Sequence, residues 1–197
     1  MAVSNALLWY TTRGAGAVSM VLLSSVVVLG IVGTVRAESP RWPLFLTTGL
    51  HRNLALTTLV FLVLHIVTAV IDPYTNLGWL AAIVPFSSYY RTLWLGLGVI
   101  GFELLVAIVV TSLVRGLLGQ KTWRAVHWLT YAAWPVGIAH GLGTGTDVWS
   151  GWLIVLTALC VGAVTIAAAY RFRAGPFDPL ANSRAAFRGS VSRRELP

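Results

Sequence analysis

Charge is scarce in this chain: only 10% of its 197 residues are Asp, Glu, Lys or Arg, six of them acidic, and lysine occurs once, at Lys121. A soluble domain of ordinary composition carries about a quarter charged residues, so a water-solvated globule is excluded. Cysteine is nearly absent too, and the single Cys160 excludes an intrachain disulfide. A net charge of +8 would suit nucleic acid, but the basic residues flank apolar segments and are not interleaved with a soluble fold, so no nucleic-acid partner is expected. What is abundant is apolar: 57% hydrophobic residues and a mean hydropathy of +0.79 place the chain among integral membrane proteins in contact with lipid.

Five stretches lack Lys, Arg and Asp over the length a spanning helix needs: Gly14 to Val35, Asn53 to Ile71, Thr92 to Val114, Ala125 to Thr146 and Val148 to Tyr170. The expected fold is therefore all-α, a membrane helix bundle of about five transmembrane helices forming one domain over residues 1–172. A C-terminus on the inner side puts twelve of the fourteen basic residues there, leaving Arg13 and Arg91 outside. The N-terminus is then outside, and the second and fourth helices both run outward. Residues 1–37 also read as a secretory signal, with Val35 and Ala37 at a small-residue site, but the first twelve residues carry no basic charge and the apolar run is too long for a signal core. A spanning helix is the preferred reading.

Between the spans, Pro40 and Pro43 suit an inner turn. Residues 73–90, with Trp79, Pro85, Phe86, Tyr89 and Tyr90, suit a short helix on the outer surface. Glu103 is the one carboxylate inside a span; it is either a protonated, hydrogen-bonded glutamic acid or a group for charge compensation or proton movement. The tail, residues 173–197, is Arg-rich and expected to be poorly ordered and drawn to anionic lipid. Thirteen arginines against one lysine, with much Ala and Val, suit a GC-rich bacterium and its plasma membrane.

The four histidines are His51, His65, His127 and His140, two in each of two spans. Fourteen residues of helix cover about 21 Å and thirteen about 20 Å, so each pair puts one imidazole near each face of a hydrocarbon core about 30 Å thick. A lone membrane histidine is usually a packing group, but four at matched depths in parallel helices form facing pairs, His51 with His127 inside and His65 with His140 outside. Two facing imidazoles hold a haem iron from both sides, so two haems stacked across the bilayer are expected. Without a C-x-x-C-H motif they are non-covalent and b-type. A zinc or copper transporter would instead cluster its ligands at one depth and add carboxylate or thiolate. On an ideal helix fourteen steps return to within about 40° of the start, but thirteen leave about 140°. Pro135 and Gly137 lie in the second interval and are expected to bend or rewind it. Arg13-Gly14-Ala15-Gly16 lets a helix or a flat ring come close. Arg52 and Arg124 inside, and Arg13 outside, suit haem propionates as well as snorkelling.

Gly49-Leu50-His51-Arg52-Asn53-Leu54-Ala55 through His65, Thr111-Ser112-Leu113-Val114-Arg115, Trp123-Arg124-Ala125-Val126-His127, Tyr131 and His140-Gly141 resemble the ferric reductase-like transmembrane domain family. The similarity runs over roughly residues 8–172 and includes the unequal steps of fourteen and thirteen. It implies two b haems on His51, His65, His127 and His140, passing electrons outward. The family's larger members carry a flavin and nicotinamide module, and the 27 residues from Arg171 onward cannot fold one. No G-x-G-x-x-G nucleotide fingerprint is expected here. Flavin then enters only through a partner or as a soluble donor. The expected donor is a cytoplasmic flavoprotein, reduced flavin or quinol, and the expected acceptor is ferric iron, oxygen or an outer redox protein, including a methionine sulfoxide reductase. The rival expectation is a non-redox transporter or assembly protein whose histidines pack or carry protons.

Overall fold

The computed structural model describes residues 2–35, 44–145 and 151–174, and every regular element among them is helical. The helices are α1 (Ala2–Val35), α2 (Leu44–Ile71), α3 (Thr92–Leu113), α4 (Gln120–His127), α5 (Thr130–Thr144) and α6 (Trp152–Ala174), with a one-turn 3-10 helix at Trp79–Ala82. Four of them, α1, α2, α3 and α6, are long and apolar enough to cross a membrane. The chain is a multi-pass membrane protein.

α1 is the hub, packing extensively on α2 and also on α6 and α5, while α3 packs on α5 and α4. Its 34 residues cover about 51 Å, more than the hydrocarbon core, so its first turns stand beyond the expected span. There Trp9 and Tyr10 meet edge to face and the Arg13 guanidinium lies 4.6 Å from the Trp9 ring centre, an interfacial cluster of aromatic and cation. Deeper, Val27 and Ile31 of α1 form a buried cluster with Val164 and Ala167 of α6, and Trp134 of α5 packs against it. The Trp134 indole N–H donates to Ser24 Oγ at 3.0 Å, and Ser24 in turn donates to the Met20 carbonyl. In lipid such pairing matters because no water waits to take the unpaired group.

The expected fourth span, residues 125–146, is divided. α4 ends at His127, and the chain turns through Trp128 and Leu129 before α5 begins. Successive N–H donations from Leu129 to Val126, Tyr131 to Trp128 and Ala132 to Leu129 tighten this turn to three-residue spacing. The irregularity expected near Pro135 and Gly137 thus falls earlier, and α5 runs through Pro135 unbroken. This turn rotates the chain further per residue than an α-helix does, in the direction that a thirteen-residue interval requires.

At the outer end, Asp72 Oδ1 accepts from the Tyr74 N–H at 3.0 Å and closes α2 with a turn. The expected surface helix over residues 73–90 is reduced to the single turn Trp79–Ala82, whose Trp79 and Leu80, like the following Ile83, are exposed, as an interfacial segment requires. Phe86 folds back against α3 where Gly96 leaves room, and Arg91, at the α3 N-terminus, donates to the Gly143 carbonyl at the end of α5. The tail from residue 175, the inner turn with Pro40 and Pro43, and residues 146–150 lie outside the described residues.

Leu80 and Lys121 belong to opposite ends of this arrangement, and the arginine distribution predicts that the Leu80 end faces out. In intact cells a membrane-impermeant maleimide is expected to label Leu80→Cys, and to label Lys121→Cys only after permeabilisation, while buried Cys160 stays silent. Labelling of Lys121→Cys in intact cells would reverse the orientation.

Candidate functional site

The structure brings the four histidines together in two pairs. The ring centres of His51 and His127 are 6.1 Å apart and those of His65 and His140 are 6.2 Å apart. His51 and His65 stand about 21 Å apart along α2. Their partners lie on α4 and α5, so these two helices together traverse the same depth and run parallel to α2.

Three of the rings are fixed by one recurring device. His51 Nδ1 is 3.0 Å from the Val26 carbonyl, His65 Nδ1 is 2.8 Å from the Thr12 carbonyl, and His140 Nδ1 is 2.8 Å from the Trp94 carbonyl. A carbonyl only accepts, so each Nδ1 carries the hydrogen and each Nε2 keeps its lone pair. Four residues after each carbonyl stands a glycine: Gly30, Gly16 and Gly98. Position i+4 is where the helix's own N–H meets the carbonyl, so any side chain there overhangs it. A Cβ would meet the His51 ring at 3.3 Å from Gly30, the His65 ring at 3.0 Å from Gly16 and the His140 ring at 2.5 Å from Gly98. Glycine is what lets an imidazole lie on the helix surface and share its carbonyl. Gly16 and Gly30 are fourteen residues apart, as are His51 and His65, so antiparallel α1 and α2 keep one register across both levels.

His127 is the exception. Its Nδ1 is buried with no hydrogen-bond partner among the described residues. Its ring stacks instead on Trp123, with centres 5.2 Å apart and planes 28° apart.

The geometry fits a metal bound between paired imidazoles. Two metal–nitrogen bonds of about 2.0 Å and two ring radii of about 1.2 Å bring ring centres to about 6.4 Å. A direct hydrogen bond between rings, at about 2.9 Å, would bring them to about 5.3 Å. The observed 6.1 and 6.2 Å lie nearer the first arrangement. Among the described residues no three His, Cys, Asp or Glu side chains converge as a small-ion cage needs.

The arginines sit less definitely. Arg52 and Arg124 are exposed beside the inner pair in sequence, and Arg13, next to Thr12, lies over Trp9. Glu103 is exposed in the middle of α3, without a hydrogen bond or ion pair among the described residues, so the hydrogen-bonded glutamic acid is not what the structure presents. The string G-x-G-x-x-G does occur once, at Gly96 to Gly101, but inside α3, where Gly96 admits Phe86 and Gly98 admits His140. It is a ring-packing surface, not a nucleotide turn.

Sequence reasoning missed Gly30, Gly98 and the three carbonyls, and it named Trp123 only within the family motif, with no role. The signal was available for one part: the interval between Gly16 and Gly30 equals that between His51 and His65.

No match was found among curated proteins or among solved structures. The sequence model of one family, described as ferric reductase like transmembrane component, matches residues 15–138, which holds His51, His65 and His127 and stops two residues before His140. Since the match spans more than half of the chain, the protein belongs to the ferric reductase-like transmembrane family, whose membrane helices serve electron transfer and generally bind haem.

Proposed function

We propose that this chain is a transmembrane electron carrier that holds two non-covalent b-type haems, one between His51 and His127 and one between His65 and His140. The observation that carries this reading is the two imidazole pairs at 6.1 and 6.2 Å, stationed at two depths of one bundle. A haem iron with two histidine ligands supplies a one-electron couple with no open coordination position, suited to relay and not to substrate binding.

The chain's own residues do the rest. The carbonyls of Val26, Thr12 and Trp94 hold three Nδ1 hydrogens, which fixes each ring's tautomer and raises the basicity of the opposite nitrogen. Gly16, Gly30 and Gly98 bring those rings within reach of α1 and α3. The four half-buried rings lie among apolar helices, where a low dielectric strengthens the hydrogen bonds to their nitrogens. Arg52 and Arg124 inside, with Arg13 outside, supply cations for propionates. Electrons enter at the inner pair from a cytoplasmic flavoprotein, reduced flavin or quinol and leave at the outer pair to ferric iron, oxygen or a redox protein.

A pyridine haemochrome assay on purified protein is expected to return two b haems per chain, and His65→Leu or His140→Leu to return one. No haem under haem-replete expression, or no loss in either variant, would defeat the assignment. Gly98→Ala, which drives a methyl group onto the His140 ring, is expected to cost the outer haem, about half the total, whereas Gly14→Ala, with open space around it, keeps both. Equal haem content in the two variants would show that the glycine does not shape the site.

A further inference from the structure

The orphaned ring of His127 has a physical explanation in α3. Thirteen residues beyond Gly98, the same interval that separates His140 from His127, α3 carries Thr111 and not a glycine. The Thr111 hydroxyl donates to the Ala107 carbonyl at 2.6 Å, four residues back, in the relation that Trp94 bears to Gly98. At this fourth position the device is closed twice: a side chain stands where the glycine would be, and a hydroxyl already uses the carbonyl.

His127 has a different support. Trp123 precedes it by one helical turn on α4, so the two side chains share a face and their rings stack. The indole is itself held from α3, because Trp123 Nε1–H donates to Ser112 Oγ at 3.2 Å, and the Arg115 guanidinium lies 6.0 Å from the indole centre. Ser112 follows Thr111 directly, so the turn of α3 that denies His127 a carbonyl anchors the ring that replaces it.

We propose that Trp123, tied to α3 through Ser112, is the positioning residue of His127: it fixes the imidazole plane by stacking where no carbonyl reaches Nδ1, leaving His127 the most weakly held of the four ligand rings. This inference rests on the haem reading above. A carbonyl partner both stops ring rotation and pushes electron density toward Nε2, whereas a stacked indole supplies only the first effect. The inner pair is therefore asymmetric, with His51 doubly supported and His127 supported by stacking alone. The outer pair has a carbonyl on each ring.

Carbon monoxide binding to the dithionite-reduced protein, read as a difference spectrum beside the haem content, tests this. Wild type with two haems is expected to bind almost none, since both irons keep two histidines. Trp123→Leu is expected to bind carbon monoxide at about half of its haem, the inner half, as His127 swings free. Trp123→Phe, which keeps a stacking ring but loses the bond to Ser112, is expected to fall with Ser112→Ala, between wild type and Trp123→Leu. Ser112→Ala shows a several-fold rise over wild type and decides the matter if Trp123→Leu does not accumulate. Carbon monoxide binding to all the haem of Trp123→Leu would mean general loosening and overturn the proposal, as would Trp123→Leu and Ser112→Ala spectra indistinguishable from wild type. A wild type without haem contradicts the haem reading itself; a two-haem wild type with unresponsive variants contradicts this inference alone.

Discussion

An imidazole inside a hydrocarbon slab has two nitrogens to satisfy, and a neighbouring helix has already spent its carbonyls on its own hydrogen bonds. That conflict governs this bundle. It is resolved by sharing: a helix carbonyl takes a second hydrogen from the ring, provided that nothing overhangs it. Glycine four residues on removes the overhang, and three of the four histidines use this solution, at Gly30, Gly16 and Gly98. An unpaired buried donor costs on the order of 1 to 3 kcal/mol, comparable with the preference of a helix interior for alanine over glycine, about 1 kcal/mol. The glycines are thus affordable in a lipid-embedded helix, where close approach of backbones is what holds neighbours together.

The rest of the architecture follows from where that sharing is needed. α1 touches two rings fourteen residues apart, so it must run antiparallel to α2 in one register over both levels, and it becomes the hub of the bundle. α3 touches His140 at its outer end and contacts the α4 region at its inner end. A single unbroken α4–α5 helix would leave His127 and His140 on different sides, and the tightened turn at Trp128 and Leu129 reconciles them. At the inner end the α3 position that matches His127 by interval is Thr111, whose hydroxyl already uses the Ala107 carbonyl. Trp123 and Ser112 supply a ring contact instead.

Much of this was legible in the sequence, and for identifiable reasons. The histidine intervals set depth because helical rise is nearly constant, and the arginine distribution set direction, so the two pairs and the parallel run of their helices follow from counting and charge. The three arginines beside the pairs were legible as cations but not as contacts. What stayed hidden depends on register between helices. Gly98 reads as one small residue among several until α3 lies against α5, and Thr12 enters only through its backbone. Pro135 drew attention as the breaker, yet a proline near the start of α5 costs few hydrogen bonds, and the chain tightened at Trp128 instead. Of the two readings of Glu103, the hydrogen-bonded acid finds no partner among the described residues.

The central claim is that two pairs of imidazoles, tilted 57° within the inner pair and 85° within the outer, each hold one iron. Electron paramagnetic resonance of the oxidised, purified protein addresses it most directly, because spin state reports the ligand count and anisotropy reports the angle between ligand planes. The account predicts two low-spin ferric signals of equal intensity, the outer one the more anisotropic because its rings stand nearly perpendicular. A high-spin signal of comparable size, or a single low-spin centre, would contradict it.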